Sequence, residues 1–407
     1  MIVDLLFQKL GSAPVAYSDV VKVFRDQLHM SPYKLRYSTD RNRRNLLMIH
    51  PTDASDRDND LVRESNGIVI DLDTLQVVVR GNDDFVRLEK FEQLEELILS
   101  DKISDEIQYT EDGTVLRVTW LNESSEWVVS TNRRIDAKRV RWASCKTFAE
   151  MMAEVIQLSE RKPVNVDDIF ERDLKKGFTH TFILLHPGNP HVIEHVVPEL
   201  VYVSSRALTD GQYDFERPKW SRSVQKGTLA DIDLDSHGEK LSKKLHGLRK
   251  RGVMLVTKDL PVKRYSFDHQ LFQHMNELRK NQPTMSQSYL ACNEWEKAQL
   301  CEYYPHWKEM FSMLDSKVSD LVRYSYSLYR SSFIYRKFYI PEDHPIYYVM
   351  KALHAIHKRT NNVITYDITK ETISNMEPGM LFWLIQLDIP QSQPRFESRW
   401  NKTNSRR

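Results

Sequence analysis

The chain has 407 residues, 41% of them hydrophobic and 28% charged, which suits a globular protein with room for two separate cores. A formal net charge of +1 requires any basic surface to be local. The three cysteines, Cys145, Cys292 and Cys301, form no Cys-x-x-Cys pair; this excludes a zinc ribbon and a disulfide framework and fits a reducing compartment. The start, Met1–Phe7, carries Asp4 and is too short for a secretory leader. No apolar run reaches the length of a membrane span. The expectation is a protein without membrane contact, placed in the cytoplasm, or in a virion or host cytoplasm if viral.

In chain order, residues 1–30 show helical spacing through Val20, Val21, Val23, Phe24 and Leu28. From Tyr33 to Val128 the pattern changes to short β-rich runs, including 44–50, 67–71 and 75–79. Asp71-Leu72-Asp73-Thr74 reads as a turn whose side chains hydrogen-bond their own backbone. A short acidic helix is predicted over 91–99, strands over 114–120 and 126–130, and a helix over 146–160. Strands follow at 181–185, 191–197, 200–205 and 253–256. After His269 the pattern is helical: Phe311, Leu314, Val318, Leu321, Val322, Ser325 and Leu328 share one face, and 347–357 and 371–385 read as further helices. The fold class is therefore α+β, an antiparallel-sheet domain over 1–268 followed by an all-helical domain over 269–407.

Six segments carry a resemblance. They are Val62–Asp71, Arg80–Arg87, Tyr109–Val118, Thr131–Ala137, Phe182–Ile193 and Arg251–Ser266. In order and spacing they resemble the motifs of phage-type ATP-dependent RNA ligases across roughly residues 30–270. The resemblance implies a covalent nucleotidyltransferase fold, and in placement only a helical C-terminal domain.

The same resemblance implies that catalysis is lost. The family's nucleophilic lysine falls on Thr110, its ATP-contacting arginine on Asn66 and its phosphate-contacting lysine on Asp84. The glutamate of its Phe-Glu-Leu element falls on Ile183, its metal-associated glutamate on Arg251, and the second of its two closing lysines on Tyr265. Arg80, Asp112, Gly113 and Lys263 are kept, as a vestigial nucleotide cleft. The reaction needs a neutral lysine amine to attack the α-phosphate of ATP and form a phosphoramidate. A threonine hydroxyl is a poor nucleophile without a base, and its phosphodiester would be too stable to pass AMP onward. Asp84 would set a negative charge against a triphosphate, a cost of several kcal/mol at about 4 Å and an effective dielectric of about 20. Thr110, Ile183 and Arg251 are thus degenerate catalytic positions, with no metal and no cofactor expected.

Blander readings apply to several of these residues. Asp112-Gly113 without its lysine reads as a hairpin turn that the fold needs. Lys263 reads equally as an exposed strand lysine. Among the basic clusters, Arg41, Arg43 and Arg44 read as a solvated face. Arg133, Arg134, Lys138 and Lys243, Lys244, Lys250 would border the cleft of a ligase-like fold and offer a groove for an RNA backbone. The run Arg323–Tyr339 alternates tyrosine with basic residues; helix packing explains it better than base stacking.

Three functions stand side by side. The first is an inactive RNA ligase-like protein that binds RNA or a protein partner in an RNA-processing or viral complex. The second is an active ligase that uses ATP and Mg2+ with a displaced nucleophile, for which Lys244-Leu245-His246-Gly247 is the candidate. The third is a structural subunit of a viral particle without nucleic-acid contact.

Overall fold

The computed structural model describes residues 8, 13–31, 33–52, 54–56, 59–81, 85–258, 263–337 and 339–387. Met1–Phe7, Asn82, Asp83, Asp84, Pro261, Val262 and Phe338, all used in the sequence reading, lie outside the described residues. The chain divides into two compact units, residues 1–274 and 275–407.

The first unit is α+β and holds three sheets. The first sheet has the order β1 (Leu35–Thr39), β2 (Leu46–Pro51), β3 (Ile68–Asp71) and β4 (Val77–Val79), all antiparallel. Alternation along β2 sends Leu47 and Ile49 to one side, where Val20, Phe24 and Leu28 of the helical segment Tyr17–Leu28 cover them. Leu46 and Met48 point to the other side and pack against Leu121, Val128 and Ile135. Both faces are buried, which is why Leu46–Ile49 is an uninterrupted apolar run. At the β3–β4 turn, Asp71 Oδ1 accepts the amides of Asp73 (2.7 Å) and Thr74 (3.4 Å), as the sequence suggests.

The remaining strands build two sheets. They are β5 (Phe85–Leu88), β6 (Glu106–Thr110), β7 (Thr114–Leu121), β8 (Glu126–Ser130), β9 (Phe178–Leu185), β10 (Glu199–Ala207), β11 (Tyr213–Asp214), β12 (Arg222–Ser223), β13 (Lys226–Thr228), β14 (Gly252–Val256) and β15 (Arg264–Asp268). The second sheet has the order β11-β10-β9-β7-β8, with β12 beside β10; the third has the order β13-β6-β14-β15-β5. Two pairings, β10 with β12 and β15 with β5, are parallel, so the sheets are antiparallel in the main rather than throughout.

Each of these two sheets buries one face under helices. Leu116, Val118, Trp127, Val129, Phe182 and Leu184 of the second sheet pack beneath helices Phe148–Glu160 and Val166–Asp173. Thr147 opens the first of these helices with a capping box: its hydroxyl accepts the Glu150 amide and Glu150 accepts the Thr147 amide. The third sheet packs Ile107, Tyr109, Val253, Leu255 and Phe267 against Phe91 and Leu94 of helix Phe91–Leu99 and Leu241 and Leu245 of helix Glu239–Gly247. Alternation leaves Val115 and Ile183 on the opposite face of the second sheet, and Gln108, Thr110 and Met254 on that of the third. These residues wall a cleft.

Residues 191–197, expected as a strand, form an irregular loop instead. Its Ile193 amide is used by a side chain rather than by a neighbouring strand. The expected helix over 371–385 is two helices, Tyr366–Ser374 and Pro378–Leu384, because Pro378 can begin a helix but has no amide to continue one.

The second unit is helical. Its helices are the C-terminal end of Gln270–Arg279, then Met285–Leu290, Glu294–Tyr303, Lys308–Tyr329, Tyr347–Thr360, Tyr366–Ser374 and Pro378–Leu384. The long helix Lys308–Tyr329 buries Phe311, Leu314, Leu321, Val322, Ser325 and Leu328 on the face its periodicity marks out. Phe311 stacks on Tyr289 at 4.2 Å, and the Tyr289 hydroxyl donates to Asp315 at 2.6 Å. Tyr329, from the tyrosine-rich run, is buried, in line with a packing role, whereas Tyr335 is exposed. Among the described residues no helix is long and apolar enough to cross a membrane.

Gly252 in β14 lies against the backbone of β15. A Cβ there would collide with the carbonyl oxygen of Phe267 and sit 2.9 Å from Asp268 Cα. Neither atom is the end of a flexible side chain, so the strands would have to separate. Gly252→Ala is expected to lower unfolding stability by about 2–3 kcal/mol in urea titrations followed by circular dichroism.

Candidate functional site

The helix-free faces of the second and third sheets meet in a cavity of about 840 Å³. Thr110, Gly113, Ile183 and Arg251, which come from three of the six motif segments, all line it. A second cavity of about 1460 Å³ adjoins it and shares Phe85, Arg87, Val115, Arg251 and Arg264 with it. Asn66, Arg133, Arg206 and Lys263 line this larger part. Segments far apart in the chain therefore converge on one cleft.

Thr110 ends β6. Its carbonyl accepts the Arg251 amide at 2.9 Å, and its register partner is Gly252. Its hydroxyl oxygen is buried and, among the described residues, has no hydrogen-bond partner. Among the described residues no base is within hydrogen-bond reach of it to raise its nucleophilicity. Ile183 sits opposite Val115 and Val201 and gives the cavity an apolar wall. Arg251 is held in a two-bond pair with Asp268, Nε to Oδ1 and Nη2 to Oδ2 at 2.8 Å each, with its guanidinium 5.3 Å from the Phe272 ring centre.

Glu111, Asp112 and Gly113 link β6 to β7, and these strands belong to different sheets. The expected hairpin turn is therefore a crossover between the two walls of the cleft. Asp112 Oδ2 accepts the Ile193 amide at 2.8 Å, and the Asp112 carbonyl accepts His195 Nε2–H at 2.6 Å. A Cβ on Gly113 would lie 2.6 Å from Ile183 Cγ2, Leu184 O and Leu185 Cδ2, so only glycine lets the crossover approach β9. Both residues have structural reasons to be present, and Asp112 is not among the cavity-lining residues.

Arg80 is also placed otherwise than expected. It is buried, its Nε donates to the Leu208 carbonyl at 3.1 Å, and it lines neither cavity. Lys263 is exposed on the rim of the larger cavity.

The basic clusters separate on inspection of their partners. Lys243 pairs with Glu239 at 2.5 Å, Lys244 with Asp231 at 2.7 Å, and Lys240 with Asp233 at 2.7 Å. Lys250, expected on an RNA-binding rim, is 6% exposed, and its Nζ lies 2.5 Å from Glu111 Oε1. Lys243, Lys244 and Lys250 are thus neutralised locally and do not form the cationic groove that their clustering suggested. The hydrogen bond to Asp231 also holds Lys244 in its charged form, raising its pKa, the opposite of what an amine nucleophile needs. Lys244 lies on the helix that covers the far face of the third sheet, not in the cleft.

Of the other cluster, Arg133, Arg134 and Lys138 are exposed, and Arg133 alone is a cavity-lining residue. Arg63, from helix Asp60–Glu64, also lines the larger part, and Arg87, Arg206 and Arg264 come from β5, β10 and β15 as single residues, so no run in the sequence marks these three. Arg206 is oriented by the carbonyls of Gly81 (2.8 Å) and Gly211 (3.2 Å), which fix it without cancelling its charge. Arg117 on β7 is fully buried, and its Nη2 donates to the Asn66 carbonyl at 3.1 Å. Its only sequence signal is a charge inside the alternating apolar pattern of Val115–Val118.

Where the ligase pattern requires carboxylates, the cleft presents the Ile183 side chain and an arginine already paired with Asp268. Among the described residues, the carboxylates close enough to share a cation are Asp71, Asp73 and Glu123 at the β3–β4 turn, and none of them lines the cleft.

No protein-family model matches the chain. Over 150 residues, 35% of this chain, it is 22% identical to the immediate-early protein ICP-46 homolog of Invertebrate iridescent virus 3; the match spans 32% of that protein. Over 388 residues, covering 82% of this chain and 85% of the other, it is 19% identical to the immediate-early protein ICP-46 homolog of Invertebrate iridescent virus 6. Among solved structures it is similar to an archaeal ATP-dependent RNA ligase in two forms. Form 2 gives a TM-score of 0.42 at 12% identity, covering 75% of this chain and 74% of the other. Form 1 gives 0.39 at 12% identity, covering 95% and 80%.

Two outcomes test this geometry. Lys250→Ala leaves Glu111 in the interior with one cationic partner fewer. It is expected to cost about 3 kcal/mol in urea unfolding, whereas Lys243→Ala, at an exposed pair, is expected to change nothing measurable. His269 supplies the second. Its ring is 1% exposed, its Nε2–H donates to the Lys250 carbonyl and its Nδ1 accepts the Phe272 amide. The bond accepted by Nδ1 needs the neutral ring, and burial pushes the imidazole down to about 4. Between about pH 6.5 and 4 the unfolded histidine binds a proton that the native one refuses, so acid favours unfolding. From pH 7 to 4.5 the wild type should lose about 2 kcal/mol more than His269→Gln, read from urea midpoints at each pH.

Proposed function

We propose that the protein is a ligase-like scaffold that no longer transfers AMP and instead holds an RNA strand in the cleft between its second and third sheets. The observation that carries this reading is Thr110. It occupies the nucleophile position of the ligase motif, and its hydroxyl is buried with no base beside it. Ile183 and the Asp268-bound Arg251 support it, since both stand where the motif asks for carboxylates. Arg87, Arg133, Arg206 and Arg264 support the binding half, because they supply dispersed guanidinium groups along a cleft with an apolar floor. The likeness to two proteins of invertebrate iridescent viruses supports a viral setting, with the host cytoplasm as the place of action.

The test has two stages. Incubation with labelled ATP and Mg2+, followed by a denaturing gel, is expected to give no covalent AMP band. Thr110→Lys alone should give none either, because Asn66, Ile183 and Arg251 remain. A band in the wild type would overturn the silent reading. Labelled single-stranded RNA is then titrated at two salt concentrations. Binding with a steep salt slope is expected, and Arg133→Ala should flatten that slope by about 0.7, the loss of one phosphate contact on a single strand. A wild type that binds no RNA at low salt would overturn the binding half and leave a protein-binding or structural role.

A further inference from the structure

We infer that Tyr213 and Phe215 form a nucleobase-stacking shelf at the mouth of the cleft, so that the strand held there is gripped by a base as well as by its phosphates. This rests on the RNA-binding reading above and deepens it.

Tyr213 lies on β11, the edge strand of the second sheet, directly opposite Arg206 of β10. Residues two apart on an extended segment share a face, and the Tyr213 and Phe215 rings lie nearly parallel, 13° apart in plane, with centroids 6.0 Å from each other. Both line the smaller cavity. Tyr213 is the fixed member of the pair. The guanidinium of Arg264, from the third sheet, lies 4.3 Å from its ring centre, and that of Arg206 lies 5.2 Å away. Phe215 is the open member. It is 60% exposed, an unusual position for a phenylalanine whose ring is already aligned with a second aromatic.

The charges around the shelf select the occupant. Asp214 and Glu216 fall on the alternate face of this segment, and Lys175 Nζ binds both carboxylates at 2.8 Å each. Lys175 offsets part of the charge of these two acidic residues, while the guanidinium groups of Arg206 and Arg264 stand next to the rings. An apolar planar surface rimmed by guanidinium groups matches a ligand with flat π-faces joined by phosphates, which is a single nucleic-acid strand. A duplex does not fit, because its bases are stacked on one another and present only their edges. β11 has only two residues, and an edge this short suits a peptide strand poorly.

The experiment measures fluorescence anisotropy with a labelled ten-nucleotide RNA and with an abasic ribose-phosphate strand of the same length. Wild type, Phe215→Ala and Phe215→Trp are compared at two salt concentrations. Phe215→Ala is expected to weaken RNA binding about tenfold without changing the salt slope, because stacking releases no counterions. Phe215→Trp should restore the affinity. The abasic strand should bind wild type and Phe215→Ala equally and weakly. If Phe215→Ala binds RNA as the wild type does, or the abasic strand binds the wild type as tightly as RNA does, the shelf is overturned while the RNA-binding reading stands. If the wild type binds neither strand at low salt, the RNA-binding reading falls and the shelf with it. Phe215 is exposed, so its replacement leaves the core intact, and an unchanged thermal midpoint confirms that folding is not the cause of any loss.

Discussion

One buried carboxylate ties the walls of the cleft together. Glu111 sits in the crossover from β6 to β7 and is 5% exposed. Its Oε1 accepts from Lys250, at the entry to β14, and from Arg222 on β12 at 3.0 Å. Lys250 therefore ties it to the third sheet and Arg222 to the second. Arg222 is pinned in turn by Glu199 of β10 at 2.7 Å. An isolated charge at this depth would cost several kcal/mol; two cationic partners from two sheets make burial tolerable only while both sheets are in place. The separation of the walls is thus set by a charge network at one end and by the Gly113 approach to β9 at the other. The volume between them follows from these two constraints rather than from packing within the cavity.

The parts of the fold that were legible in the sequence are those whose causes are local. The Asp71 turn depends on a side chain reaching an amide two residues away, and the long helix Lys308–Tyr329 depends on a 3.6-residue apolar period; both are visible in a short window. What could not be read depends on distant partners. Residues 191–197 have the alternation of a strand, but the Ile193 amide is taken by Asp112 from 81 residues away. Asp112-Gly113 has the chemistry of a hairpin turn, yet β6 finds β14 and β13 while β7 finds β8 and β9. A dipeptide can specify a change of direction but not which sheet the chain enters next.

The same distinction governs the candidate site. The motif resemblance brought Thr110, Gly113, Ile183 and Arg251 to one cavity, because a motif encodes positions in a fold. Clustering of lysines did not locate the cleft's cations. A run such as Lys240–Lys250 concentrates positive charge in sequence, and helix geometry then sets it beside the acidic residues that solvate it, as with Lys243 and Glu239. Three of the arginines that face the cleft, Arg87, Arg206 and Arg264, come one to a strand, since alternate strand positions face opposite ways and each strand can contribute few residues. Dispersion in sequence was the mark of convergence in space.

The degenerate positions have been absorbed into this architecture rather than left vacant. Arg251, in the place of a carboxylate, is committed to Asp268 on the neighbouring strand, so it braces β14 against β15 as well as facing the cavity. Ile183 supplies one of the methyl groups that bound the space over Gly113. A lysine restored at residue 110 would share the cavity with Arg251 and Ile183, which stand where the ligase pattern has carboxylates. Binding has different requirements. It needs cations that are held in place but not cancelled, and Arg206, fixed by two carbonyl oxygens, is of that kind. On the proposed reading, an anionic strand would be gripped by cations held in this way.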